Sequence, residues 1–189
     1  MKSSIKTFTF LLLMFSLAGY AQKIDKEWKS LLNTNIESFR KCDQRSGNDT
    51  KFCSSATAES INKIYKIEDF YSKSQGRYMN NSEIVEVLNA TGKWKLIGYA
   101  YEQEALDKAQ ELANKNMATL AYYANDDLSG NVSIILPGEL STSGSWGFNV
   151  PNSATFFMEE PGKSYSDKGL SYAFSRSILR KVMIYAREY

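Results

Sequence analysis

The sequence predicts a single α+β domain, N-terminal helices packed on a small antiparallel sheet. Apolar residues recur at helical spacing in the first half of the chain. Short apolar and aromatic runs separated by turn clusters fill the second half. Helices first and mostly strands afterwards, with no linker, internal repeat or low-complexity stretch, is the pattern of one α+β core.

Trp28, Leu31, Leu32, Ile36 and Phe39 recur at helical spacing and predict an amphipathic helix over about residues 24–40. Asp43 to Thr50 is polar, with Gly47-Asn48 as turn punctuation, and reads as a loop. From Cys53 to Tyr65 a second helix is expected, capped by Ser54 or Ser55, with Ile61, Ile64 and Tyr65 inward. Asn81-Ser82-Glu83 opens a third, with Ile84, Val87 and Leu88 buried and Gly92 ending it. Trp94 to Tyr101 reads as extended, and Glu104 to Asn114 as a helix stopped by Asn114-Lys115-Asn116. Met117–Tyr123 and Val132–Leu136 are strands. The turn cluster Asn125 to Gly130 joins them, so they form an antiparallel hairpin. Thr155 to Met158 is a third strand, Gly169 to Phe174 a helical turn or loop, and Val182 to Tyr185 the closing strand.

Residues 1–21 read as a signal peptide. Lys2 and Lys6 precede the apolar run Phe8–Leu17, and Gly19-Tyr20-Ala21 puts small residues where a signal peptidase reads. The run is too short to span a bilayer core of about 30 Å as a helix. The expected product is therefore residues 22–189, periplasmic or secreted, with no membrane anchor after cleavage. The full chain carries 23 basic and 21 acidic residues. Two of the basic ones, Lys2 and Lys6, lie in the first 21 residues, which hold no acid, so residues 22–189 are formally neutral. Neutrality argues against a nucleic-acid partner, which needs a basic surface. No metal-site spacing, phosphate loop or dinucleotide fingerprint is present, so no metal or cofactor is expected.

Cys42 and Cys53 are the two cysteines, and the chain has no histidine. In an exported protein the pair reads as a disulfide, contributing about 3 kcal/mol by the chain-entropy argument. The competing reading makes Cys53 a nucleophile or the relic of one.

The order of the pieces resembles the NlpC/P60 branch of papain-like amidases, which cut peptide bonds in bacterial cell-wall peptides. Cys53-Ser54-Ser55 is similar to the Cys-Ser-Gly/Ser that opens that family's nucleophile helix. Ala105 to Ala113, running into Asn114-Lys115-Asn116, is similar to its helix with an Ala-Asn stop. Gly130-Asn131-Val132 is similar to its Gly-His-Val strand, with Asn131 at the His position. Ser143-Gly144-Ser145-Trp146-Gly147 with Pro151 is similar to a branch of exported or secretion-effector amidases. The likeness spans roughly residues 40–185. It implies a papain-like fold in which Asn131 faces the N-terminal end of the Cys53 helix and Ser143 falls near a third polar position.

The family's chemistry needs a thiolate and a proton donor for the leaving amine. Asn131 cannot take up a proton near neutral pH. Losing that acid costs on the order of 10²–10⁴-fold. Glu139, Asp126 and Asp127 are carboxylates that no spacing singles out. The resemblance therefore implies an amidase-like pseudoenzyme that binds peptidoglycan peptide or a protein partner. Its alternative is an active peptidoglycan cysteine amidase using Cys53 with an unrecognised base. Trp94 and Trp146 are the aromatic candidates for a ligand groove, with core packing as the competing reading for each.

Exported protein is expected to lack residues 1–21. Intact-mass measurement checks this, and a mass retaining Met1 to Ala21 overturns it.

Overall fold

Alternating apolar residues along the C-terminal strands sort onto two faces of one sheet, and both faces are covered. A computed structural model describes residues 24–42, 50–90, 92–124 and 130–189. The expected signal peptide, most of the Asp43–Thr50 loop and the 125–129 turn lie outside the described residues. In chain order the elements are α1 (Trp28–Phe39), α2 (Thr50–Tyr65), β1 (Tyr71–Ser72), β2 (Arg77–Tyr78), α3 (Asn81–Ala90), β3 (Trp94–Tyr99) and α4 (Gln103–Asn114). Then come β4 (Thr119–Ala124), β5 (Gly130–Ile135), β6 (Ser141–Ser143), β7 (Phe148–Val150), β8 (Asn152–Thr155), β9 (Tyr165–Gly169) and β10 (Met183–Arg187). The fold is α+β with antiparallel sheets. Six strands pair in the order β3-β10-β4-β5-β8-β9, and β1-β2 and β6-β7 are separate two-stranded ribbons.

On one face Leu120, Tyr122, Val132, Ile134 and Ala154 meet Leu32, Ile36 and Phe39 of α1, Ile61 and Ile64 of α2, and Ile84 and Leu88 of α3. Each such side chain contributes about 1.5–3 kcal/mol by leaving water. Phe39 meets Phe156 edge to face at 5.2 Å. On the other face Ala121, Ile135 and Ile184 meet Leu106, Ala109 and Ala113 of α4, with Trp146 and Phe174 beside them. The small residues of α4 let it lie close to β3. A Cβ at Gly98 would sit 2.6 Å from Ala105 Cβ, and Gly98 has φ +147°, so this position requires glycine.

The helices fall close to their expected places. α2 begins at Thr50, before Cys53. α3 is capped one residue earlier than its sequence signal suggests. Asn80 Oδ1 accepts Glu83 N–H at 3.0 Å, and Glu83 Oε2 accepts Asn80 N–H at 2.8 Å, a reciprocal capping box. The expected hairpin is β4–β5, with Tyr123 opposite Asn131 and Thr119 opposite Ile135. The third strand lies earlier than the apolar run Thr155–Met158 suggests, because β8 is built on small polar residues. Their hydroxyls are buried and satisfied across strands. Ser133 Oγ pairs with Thr155 Oγ1 at 2.8 Å, and Ser153 Oγ with Tyr165 Oη at 3.1 Å. Phe156 turns into the core just after the strand.

Asp69 ties three elements together. Its carboxylate accepts Arg187 Nε at 2.6 Å, Trp94 Nε1 at 3.1 Å and, on its other oxygen, Arg187 Nη2 at 3.2 Å. Burial pushes the Asp69 carboxyl up, but Arg187, Lys93 and Trp94 outweigh it and hold it below the usual carboxylate range. Its folded value is thus below its unfolded one. The stability it contributes is complete above the unfolded value near pH 4 and is lost as pH falls through the folded value. Asp69→Asn is expected to cost about 3 kcal/mol at pH 7, because it strands the half-buried Arg187. The difference from the parent should shrink in acid, where both have lost the charge. Urea melts from pH 7 down to pH 2 check this, and a pH-independent difference overturns it.

Candidate functional site

Cys53 is the fourth residue of α2, in the turn where a helix dipole favours a thiolate. Its sulfur is bonded to Cys42, with Cα atoms 5.8 Å apart. Cys42 follows the end of α1, where its N–H reaches Phe39 O at 2.8 Å. The bond therefore staples the end of α1 to the start of α2. Of the two readings of Cys53, the structure contains the disulfide. A sulfur in that bond has no thiolate with which to attack a carbonyl.

Asn131 lies on β5, as expected, but it does not face the Cys53 helix. Strand alternation puts Val132 and Ile134 on the face that α2 covers. Asn131, Ser133 and Ile135 point to the opposite face, where α4 packs. Asn131 Nδ2 donates to Ala173 O at 3.2 Å. The expected juxtaposition of Asn131 with the start of α2 is thus corrected by the period of the strand.

Ser143 is buried at the end of β6. Its Oγ accepts Trp146 N–H at 3.2 Å and shares a hydrogen bond with Ser145 Oγ at 3.1 Å. Its carbonyl accepts Gly147 N–H at 2.8 Å, and Gly147 has φ +77°. Ser143 therefore closes the β6–β7 turn.

Both tryptophans are buried. Trp94 is 3% exposed, packs on Phe70 at 5.3 Å and donates its indole N–H to Asp69. Trp146 is 1% exposed and donates its indole N–H to Phe174 O at 3.0 Å. Both satisfy the rule that a buried indole finds an acceptor. Glu139 is exposed, and Asp126 and Asp127 lie outside the described residues.

Two of the candidates do converge. Asn131 and Trp146 hold successive carbonyls, those of Ala173 and Phe174, in the segment that leads toward β10. Their common target is backbone, so the pair anchors a turn. Cys53 stays on the other side of the sheet, and no nucleophile–base pair is assembled from the five positions.

Sequence reasoning missed an open cavity of about 520 Å³ where the last turn of α2 meets the β1–β2 ribbon. Tyr71 and Tyr78 border it, directly opposite each other across the ribbon. The signal that could have found it is Ser72-Lys73-Ser74-Gln75-Gly76, a turn cluster between two aromatic positions.

No protein-family model matches the chain, and no curated protein is significantly similar to it.

Thiol titration of unreduced, denatured protein is expected to find no free thiol. Reduction should lower stability by about 3 kcal/mol. A titratable thiol before reduction overturns the staple.

Proposed function

We propose that the chain is an exported pseudoenzyme, an NlpC/P60-like, papain-like scaffold that binds peptidoglycan peptide without cleaving it. The disulfide between Cys42 and Cys53 carries this reading, because it occupies the one sulfur that the resemblance would make a nucleophile. The absence of histidine from the sequence removes the family's usual general acid. Asn131, which the resemblance puts at the His position, holds a backbone carbonyl on the far side of the sheet from α2, and this placement counts against a papain-like site. The resemblance itself rests on the order of the sequence motifs from Cys53 to Pro151.

Export belongs to the same proposal. The segment 1–21 would send the chain to an oxidising compartment, where the disulfide forms and persists. The binding partner is then whatever cell-wall peptide or wall-associated protein lies there, and peptide is preferred because the resemblance is to peptide-cutting enzymes.

Purified protein should be retained on intact sacculi, and digestion followed by chromatography should show no release of muropeptides. Adding reductant should leave that result unchanged, because a liberated thiol still lacks a proton donor. Cleavage by the parent chain that Cys53→Ala abolishes would instead establish the active amidase. Failure of any retention on sacculi would remove the peptidoglycan reading.

A further inference from the structure

Helix α2 ends at Tyr65, and Lys66 follows in the left-handed region with φ +52°. Ile67 N–H then reaches back to Asn62 O at 3.1 Å, the long hydrogen bond of a Schellman cap. This cap turns the chain so that Asn62 and Ile67 form the buried part of the cavity lining. Asn62 is 5% exposed. Its Oδ1 accepts Phe70 N–H at 3.4 Å, and its Nδ2 has no hydrogen-bond partner among the described residues. A buried N–H without an acceptor carries the full loss of its hydration, and a ligand oxygen that moves the lining slightly would satisfy this one, which is closed to solvent as it stands.

The rest of the lining has a matching character. Lys63 and Lys66 are exposed at the rim. Among the described residues Lys63 pairs with the partly buried Glu59 at 2.5 Å and Lys66 with the partly buried Asp25 at 3.1 Å. The ammonium ends of both lysines stay exposed, so each can meet a further anion beside its own carboxylate. Tyr71 and Tyr78 meet edge to face at 5.2 Å and give the wall an aromatic surface. Glu68 supplies one negative charge on the rim, which disfavours polyanions. A volume of about 520 Å³ suits a small ligand or a few residues of peptide.

We propose that this cavity binds the carboxylate end of a short peptide. The carboxylate lies at Lys63 and Lys66. A peptide carbonyl accepts the Asn62 amide N–H, and an apolar side chain rests on Ile67 and the tyrosine pair. The inference rests on the reading of the chain as a peptide binder and places that binding away from the Cys53–Asn131 region.

The test uses stem peptides released from sacculi, each with a free C-terminus, and the same peptides after C-terminal amidation. Binding is followed by calorimetry and by the side-chain amide signals of Asn62 in NMR. The parent chain should bind the free-acid peptides, shift the Asn62 amide signals and bind the amidated forms about tenfold more weakly. Lys63→Gln with Lys66→Gln, both at exposed positions, should weaken binding about tenfold while circular dichroism shows the fold retained. Asn62→Asp keeps the acceptor for Phe70 but replaces the donor, and should weaken binding at least as much. Equal affinity for amidated peptides overturns the carboxylate assignment. Retention on sacculi with peptide binding unmoved by the cavity variants overturns the cavity and leaves the parent reading intact. No retention and no peptide binding overturns both.

Discussion

The last strand is the one on which the sheet depends. β10 lies between β3 and β4, and β3 has no other neighbour in the sheet. Arg187 pairs with Trp94 on one side, while Ala186 lies opposite Thr119 on the other. The contact closes about half of the chain into a loop, an entropic cost that local structure cannot repay. It is repaid by burial on both faces, Tyr185 toward α1–α3 and Ile184 toward α4. The strand is also fixed beyond its end. Arg187 N–H reaches Ala118 O at 2.9 Å, Glu188 N–H reaches Lys93 O at 2.7 Å, and Arg187 clasps Asp69. A topology so dominated by distant pairings folds slowly relative to a helical one.

That constraint gives meaning to the placement of Asn131 and Trp146. The chain must be aimed at the gap between β3 and β4 before β10 can enter. It approaches through the turn Leu170–Tyr172 and the carbonyls of Ala173 and Phe174, which Asn131 and Trp146 hold. A side-chain amide suits this duty. It donates one hydrogen bond to a carbonyl without changing charge across the pH range. Position 131 thus serves the assembly of the sheet, on a face remote from α2.

The sequence made the long elements legible and the short ones obscure. α1 follows from apolar spacing, α4 from spacing and its Asn114-Lys115-Asn116 stop, and α3 from spacing and a cap, signals that span several turns. β4 and β5 follow from their apolar runs and the turn cluster between them. The ribbons β1–β2 and β6–β7, two or three residues per strand, are too short for alternation to show. β9 was invisible because Tyr165-Ser166-Asp167-Lys168-Gly169 is polar and sits at the sheet edge. The staple was legible from two cysteines in a chain whose first 21 residues read as a signal peptide. The orientation of Asn131 was not, since a motif match fixes a strand but not which face its residues take. The cavity was beyond reach for another reason. Its lining joins a helix cap to a ribbon, and only the folded chain brings Asn62 beside Tyr78.

A sulfur can staple or attack, but it cannot do both, and magnitudes indicate which use this chain favours. A domain of this size retains roughly 5–15 kcal/mol of net stability. A disulfide closing a loop of this length contributes about 3 kcal/mol, a large fraction of that margin. Freeing Cys53 would forfeit the fraction and return a thiol with no imidazole to deprotonate it or to serve the leaving amine. The start of α2 would still favour a thiolate, but a dipole supplies no proton. Each loss reinforces the other. With no general acid the free thiol gains nothing in catalysis, and with the bond formed a general acid would have no nucleophile to serve. Under oxidising conditions the balance therefore rests with the staple.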